Sequence, residues 1–178
     1  MLEKNCIFCN SKNSKQLYNT TDIYGDVYEL RKCLKCKAVF ISPHPTKEQL
    51  ERAYSSDYYG EGKEKFEDIV EKFIDQFRMY RARQAAKYMS EGDNILDIGC
   101  GNGRFLMHVS QYGKFNIYGT EMPGNSAERA KRVEGINIKI GQIDYDDFPN
   151  KTFQVITMFH VFEHITEPKK TLDIISNI

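Results

Sequence analysis

An α/β fold is predicted, a parallel sheet with helices on both faces preceded by a small four-cysteine module, and three observations carry the prediction. From about residue 91, apolar strand-like runs alternate with helix-like runs, one strand ends in three alternate glycines, and two Cys-x-x-Cys pairs precede the series. Alternating strand and helix builds a parallel sheet covered on both sides, because each crossover helix lies back on the sheet. A chain of 178 residues has room for one ordinary domain and a module. Apolar residues at 40%, with 11 Tyr and 11 Phe, are enough to close a core and exclude a disordered chain.

Lys plus Arg and Asp plus Glu both number 25, which removes the broad attraction that binders of nucleic acid or anionic membranes show and favours a small-molecule partner. The start, MLEKNCIFCNSKN, has no apolar signal core, and no run approaches the ~20 apolar residues of a membrane helix, so a cytoplasmic location is expected. Five cysteines, four of them in two pairs, suit a reducing compartment where thiolates hold metal.

The chain divides into three segments. Residues 1–42 hold short alternating runs (Gln16 to Tyr18, Val27 to Leu30, Ala38 to Ile41) broken by Gly25, which read as small β-hairpins with too little core to fold unaided. Residues 43–90 read as a helical linker or cap. Ser42-Pro43-His44-Pro45 ends the module, and Thr46 followed by Glu48 and Gln49 opens a short helix to about Tyr54. From Lys63 to about Met89, Phe66, Ile69, Val70, Phe73, Ile74, Phe77, Tyr80 and Ala85 fall at helical spacing, and this apolar stripe is expected to pack on the segment after it. Residues 91–178 carry the sheet: strands at Asn94 to Ile98, Phe115 to Thr120, Ile136 to Ile140 and Phe153 to Met158. Helices are expected from Gly103 to about Tyr112, from about Asn125 to Val133, and from near Pro168.

The segment Ile95-Leu96-Asp97-Ile98-Gly99-Cys100-Gly101-Asn102-Gly103-Arg104 is a strand, a glycine turn and a helix start. Such a turn needs positive φ and close backbone approach, and the amides left at the helix start can hold a carboxylate or phosphate. A dinucleotide fingerprint would read G-x-G-x-x-G, but the third glycine comes one residue early and Arg104 stands where Gly or Ala belongs. At the end of the second strand stands Glu121, where a carboxylate can accept from both hydroxyls of a ribose. Loop and acid together resemble class I S-adenosylmethionine-dependent methyltransferases, whose first motif is nearly LDIGCGNG, over about residues 85–178.

That resemblance implies a Rossmann-like domain and assigns the residues in turn. Asp97 and the backbone from Gly99 through Cys100 and Gly101 to Gly103 go to the methionine end of the cofactor, Glu121 to its ribose and Met122 to its adenine. Gly141-Gln142-Ile143-Asp144-Tyr145 looks like the third-strand exit, with Asp144 accepting from the adenine amino group and Ile143 donating its backbone amide. The fourth-strand motif matches except that Gln154 replaces the common Asp. Cys100 inside the loop reads as a small tolerated residue rather than a nucleophile, since nothing nearby marks it as activated.

His160-x-x-Glu163-His164 also fits an inverted zinc-peptidase signature, but that site needs a long helix and a third protein ligand, whereas this cluster directly follows an apolar strand. His164, Glu163 and His160 are therefore candidates for the active-site rim. Either Glu163 and His164 hydrogen-bond the turn, or His164 is a base oriented by Glu163. The resemblance extends to small-molecule O- and C-methylating enzymes.

Cys6-x-x-Cys9 and Cys33-x-x-Cys36, with 23 residues between them, can complete a tetrahedral four-cysteine site, so a structural zinc ribbon is expected at the N-terminus. Residues 1–42 carry seven basic against four acidic side chains, which a solvated face explains as well as an RNA contact does. The order of parts, with Tyr54 and Ser56-Asp57-Tyr58-Tyr59 before the glycine loop, is similar to methyltransferases acting on sugars or other secondary metabolites. Tyr58 or Tyr59 either covers the cofactor or packs.

A complete sheet of the family has seven strands, and this chain stops in the helix after the fourth. A fragment is expected, or an edge covered by a partner chain or by self-association. The leading functional expectation is methyl transfer from S-adenosylmethionine to a small molecule such as a sugar nucleotide. The alternatives are an RNA methyltransferase that docks through the zinc module and a non-catalytic cofactor-binding or interaction module.

Overall fold

The computed structural model describes residues 5–53, 67–149 and 151–178, so Tyr54, Ser56, Asp57, Tyr58, Tyr59 and Phe66 lie outside the described residues. Contacts divide the chain into two compact units, one around the cysteines and one around the parallel sheet.

In the first unit, β1 (Ser14–Thr21), β2 (Val27–Cys33) and β3 (Val39–Ser42) form an antiparallel sheet in sequence order. Its core is small, with Cys6, Cys33 and Phe40 buried together. Helix α1 (Lys47–Ala53) begins as the Thr46 and Gln49 pair predicts. Gln49 donates its amide to Thr46 Oγ1 at 3.2 Å, and Gln49 Oε1 accepts from the Thr46 amide at 2.8 Å, a reciprocal capping box.

The second unit begins with α2 (Glu67–Ala86). It continues with β4 (Asn94–Ile98), α3 (Arg104–Val109), β5 (Asn116–Glu121), α4 (Asn125–Ala130), β6 (Ile136–Ile140), β7 (Val155–Thr157) and α5 (Pro168–Ile175). All pairings are parallel and the strand order is β6-β5-β4-β7. Strand β4 is buried on both faces: Ile95 joins Phe105, Leu106, Val109 and Ile117 on one side, while Leu96 and Ile98 join Phe148, Phe153 and Ile174 on the other. Because β5 lies on one side of β4 and β7 on the other, the chain reverses direction of growth beside β4, and ligands of such sheets bind at the carboxyl ends near that reversal. Among the described residues no helix is long and apolar enough to cross a membrane.

One expectation is corrected. Among the described side chains of α2, the large apolar ones do not make its packed face: Phe73, Phe77 and Tyr80 are 65%, 64% and 63% exposed, while the side chains of Ile69 and Val70 lie outside the described residues. The stripe that meets α3 is Glu71, Asp75, Arg78, Ala82 and Ala85, with both alanines buried. Alanine lets the helix backbone come close to the sheet layer, and the charged positions find partners on α3. Hydrophobic periodicity alone registers neither.

Candidate functional site

The glycine turn has the geometry its composition demands. Gly99, Gly101 and Gly103 all sit at positive φ (73°, 58° and 77°), and a Cβ at Gly99 would collide with the stiff Val161 side chain. Gly103 is buried against Ala130 and Val133, so it closes the turn onto α4, whereas nothing occupies the space a Cβ on Gly101 would fill. Gly119 makes a second close approach, since a Cβ there would lie 2.8 Å from Cys100 Sγ.

At the carboxyl end of β5, Glu121 accepts the Gly101 amide on Oε2 at 2.6 Å and the Met122 amide on Oε1 at 3.1 Å. Loop and acid therefore converge. Beside them a cavity of about 600 Å³ is lined by Asp97, Gly99, Cys100 and Gly101 from the loop, by Ile74, Phe77, Arg78 and Arg81 from α2, and by Phe159 and His160 from the segment after β7. That volume lies in the range of small-molecule sites. The α2 residues were missed at sequence level, because nothing in a helical stripe says that it faces a loop some 20 residues later. Arg81 stacks 4.6 Å from the Phe159 ring centre, and Phe159 meets Phe105 edge-on at 5.0 Å.

Asp97 is buried in this wall, and its neighbour in the β4–β7 register, Thr157, donates to its Oδ1 at 2.7 Å. Burial pushes its carboxyl up to about 7, Thr157 pulls the other way, and the charge of Glu121 adds to the rise. Among the described residues no basic side chain forms an ion pair with Asp97. The cavity thus carries both a buried carboxylate and the guanidinium groups of Arg78 and Arg81. Burial likewise pushes the Cys100 thiol up to about 12, in keeping with a packing role.

The remaining predicted residues spread from this point. Met122 is half exposed, and Ile143 is buried in the second core cluster. Asp144 is exposed, with Lys170 at 3.3 Å from its carboxylate. The Tyr145 amide first, then Lys170, hold its pKa below the ordinary carboxylate value. Of the three rim candidates, His160 lines the cavity, at a left-handed φ of 58°. Glu163 and His164 lie exposed in the 3-10 turn Phe162–His164, and His160 Nδ1 is 3.9 Å from Glu163 Oε1.

In the other unit the two cysteine pairs sit on matching knuckles. Asn10 and Lys37, each following the second cysteine, take left-handed φ (53° and 67°) and donate their amides to the carbonyls of Cys6 and Cys33 at 2.8 and 3.1 Å. The Cys6 and Cys33 amides in turn donate to the carbonyls five residues on, Ser11 and Ala38. All four sulfurs lie within 4.8 Å of one another, with Cys6–Cys36 at 3.5 Å and Cys9–Cys33 at 3.6 Å. These separations are far beyond a disulfide bond, and they suit ligands about 2.3 Å from a central tetrahedral zinc. The Cys36 amide donates to the Cys33 sulfur at 3.5 Å, the first cause of a thiol pKa lowered to about 6.

Comparison with known proteins agrees with this geometry. An uncharacterized methyltransferase of Schizosaccharomyces pombe is 23% identical over 133 residues, covering 65% of this chain and 45% of that protein. The ribosomal protein L11 methyltransferase of Lachnospira eligens is 36% identical over 44 residues, 25% of this chain and 14% of its own. Among solved structures, the plantazolicin methyltransferase BpumL, in complex with a monoazolic desmethylPZN analog and SAH, shares the fold. Its TM-score is 0.53 at 20% identity, covering 70% of this chain and 50% of that one. The chain thus spans about half the length of the first relatives it matches. The family model described as "Methyltransferase domain" matches residues 69–178, more than half of the chain, and the protein belongs to that family.

Proposed function

We propose that this chain binds S-adenosylmethionine in the cavity between the glycine loop and α2, that the whole protein transfers its methyl group to a small-molecule acceptor, and that Cys6, Cys9, Cys33 and Cys36 hold a structural zinc. The observation that carries the reading is the meeting of the Gly101 amide with the Glu121 carboxylate at the carboxyl end of a parallel sheet. When bound, the cofactor supplies an electrophilic methyl group on a sulfonium.

The chain's own residues supply the binding. Asp97 and the backbone of Gly99, Cys100 and Gly101 would hold the amino-acid end. Arg78 and Arg81, the basic side chains among the described residues lining the cavity, would face its carboxylate. Glu121 keeps lone pairs for the ribose hydroxyls after accepting two amides. Met122, Ile143 and Asp144 stand toward the adenine end. His160 faces the acceptor, with Glu163 next to it. Positioning in the cavity carries much of the rate, and a base is required only when the acceptor must lose a proton. A sugar nucleotide or another secondary metabolite is the acceptor class this reading favours, since a chain of balanced charge lacks the broad attraction for nucleic acid.

Calorimetry with S-adenosylhomocysteine on the 178-residue chain tests the reading before any acceptor is identified. Saturable binding at a single site is expected. No heat and no thermal shift at millimolar ligand would overturn it.

The raised Asp97 pKa makes a separate prediction. As pH rises from about 4 to about 7, the unfolded chain loses this proton while the folded chain keeps it, so stability falls across that window and the penalty is complete above it. Asp97→Asn keeps an acceptor for Thr157. At pH 8 it is expected to be more stable than the parent by up to roughly 4 kcal/mol, an advantage that fades toward pH 4, while ligand affinity is lost. Melting curves at the two pH values check this, and equal melting at pH 8 would contradict it.

A further inference from the structure

The contact between α2 and α3 holds a polar latch whose central pair, His108 and Asp75, does not line the cavity. His108, on α3, has a side chain 7% exposed, and its Nε2 lies 3.1 Å from Asp75 Oδ1 on α2. Its Nδ1 has no partner among the described residues. With Nδ1 buried and unpartnered, hydrogen on Nε2 is the arrangement that leaves no donor orphaned, and Nε2 donates to Asp75. The same hydrogen bond is the first cause holding the Asp75 carboxyl below its ordinary value, so the carboxylate is ionised and accepts. Around this bond Arg78 lies 3.5 Å from Asp75 and 2.8 Å from Glu71, and Arg104 of α3 pairs with Glu71.

We infer that His108 is a positioning residue: by donating from Nε2 to Asp75 it holds α2 against α3, so that Ile74, Phe77 and Arg81 stay in place as the outer wall of the cavity. The asymmetry of α2 supports this. Among the described side chains of α2, the large ones are exposed or turned to the cavity and the buried apolar groups are Ala82 and Ala85, so polar contacts hold the turn around Asp75 against α3. Helix α3 grows directly from the glycine turn, and the latch therefore ties the wall to the loop it faces.

The effect on ligand affinity rests on the cavity being the cofactor site, but the latch itself does not, and the experiment separates the two. Hydrogen exchange of the ligand-free chain and calorimetry with S-adenosylhomocysteine are compared for the parent, His108→Ala, His108→Gln and Asp75→Ala. Both alanine variants are expected to speed exchange of α2 amides by about tenfold or more, with the β4 and β5 amides unchanged, and to weaken the ligand by about tenfold. His108→Gln, which can donate from a similar position, is expected to restore both. Asp75→Ala reaches the contact from the less buried side, so it decides the matter if His108→Ala folds poorly. Unchanged α2 exchange in Asp75→Ala, or no rescue by His108→Gln, overturns the inference. Failure of the parent to bind S-adenosylhomocysteine overturns the cofactor reading alone, and exchange then decides the latch.

Discussion

Glu121→Ala is expected to weaken S-adenosylhomocysteine binding by about 100-fold or more, because hydrogen bonds to a charged group contribute about 1.5 to 3 kcal/mol each and a ribose offers two. The carboxylate also accepts the Gly101 amide at 2.6 Å, so its removal leaves the middle of the glycine turn without its acceptor. Glu121→Gln keeps one oxygen for that amide and is expected to lose about tenfold. The charge of Glu121 contributes to the raised pKa of Asp97, so either substitution lowers the pH at which Asp97 ionises. Calorimetry across pH reads both effects, and alanine-variant affinity equal to the parent's contradicts the role given to Glu121.

Cys33→Ser is expected to abolish metal binding and unfold the β1 to β3 sheet while the parallel sheet survives. Cys33 is buried, its sulfur lies 3.6 Å from that of Cys9, and it ends the central strand of the small sheet. Among the described residues, the apolar cluster around it holds only Cys6, Cys33 and Phe40 as buried members. A structural zinc contributes on the order of 10 kcal/mol, more than so small a core supplies. Zinc content of the purified chain, with backbone amide spectra before and after a chelator, checks this. A folded β1 to β3 sheet without metal contradicts it.

The glycine turn, Glu121, the cysteine pairs and the Thr46 cap were legible because each is a local pattern whose backbone geometry follows from residue type. Gly99 and Gly101 need positive φ, and Thr46 and Gln49 satisfy each other across one helical turn. The wall of the cavity and the latch between α2 and α3 were not legible. Arg81 meets Phe159 and Asp75 meets His108 only after the sheet has brought distant segments together, and no spacing rule links them. The stripe on α2 misled for a physical reason: periodicity weights large apolar side chains, while the packed face uses alanine and ion pairs. The fourth strand is shorter than its apolar run, since only Val155–Thr157 pair with β4 before Met158 and Phe159 enter the turn.

A crystal structure of the chain grown with S-adenosylhomocysteine is the decisive experiment. The ribose hydroxyls are expected on the Glu121 carboxylate and the amino-acid end against Asp97 and the Gly99 to Gly101 backbone. A ligand bound elsewhere, with Glu121 and the glycine turn untouched, would contradict the proposed site.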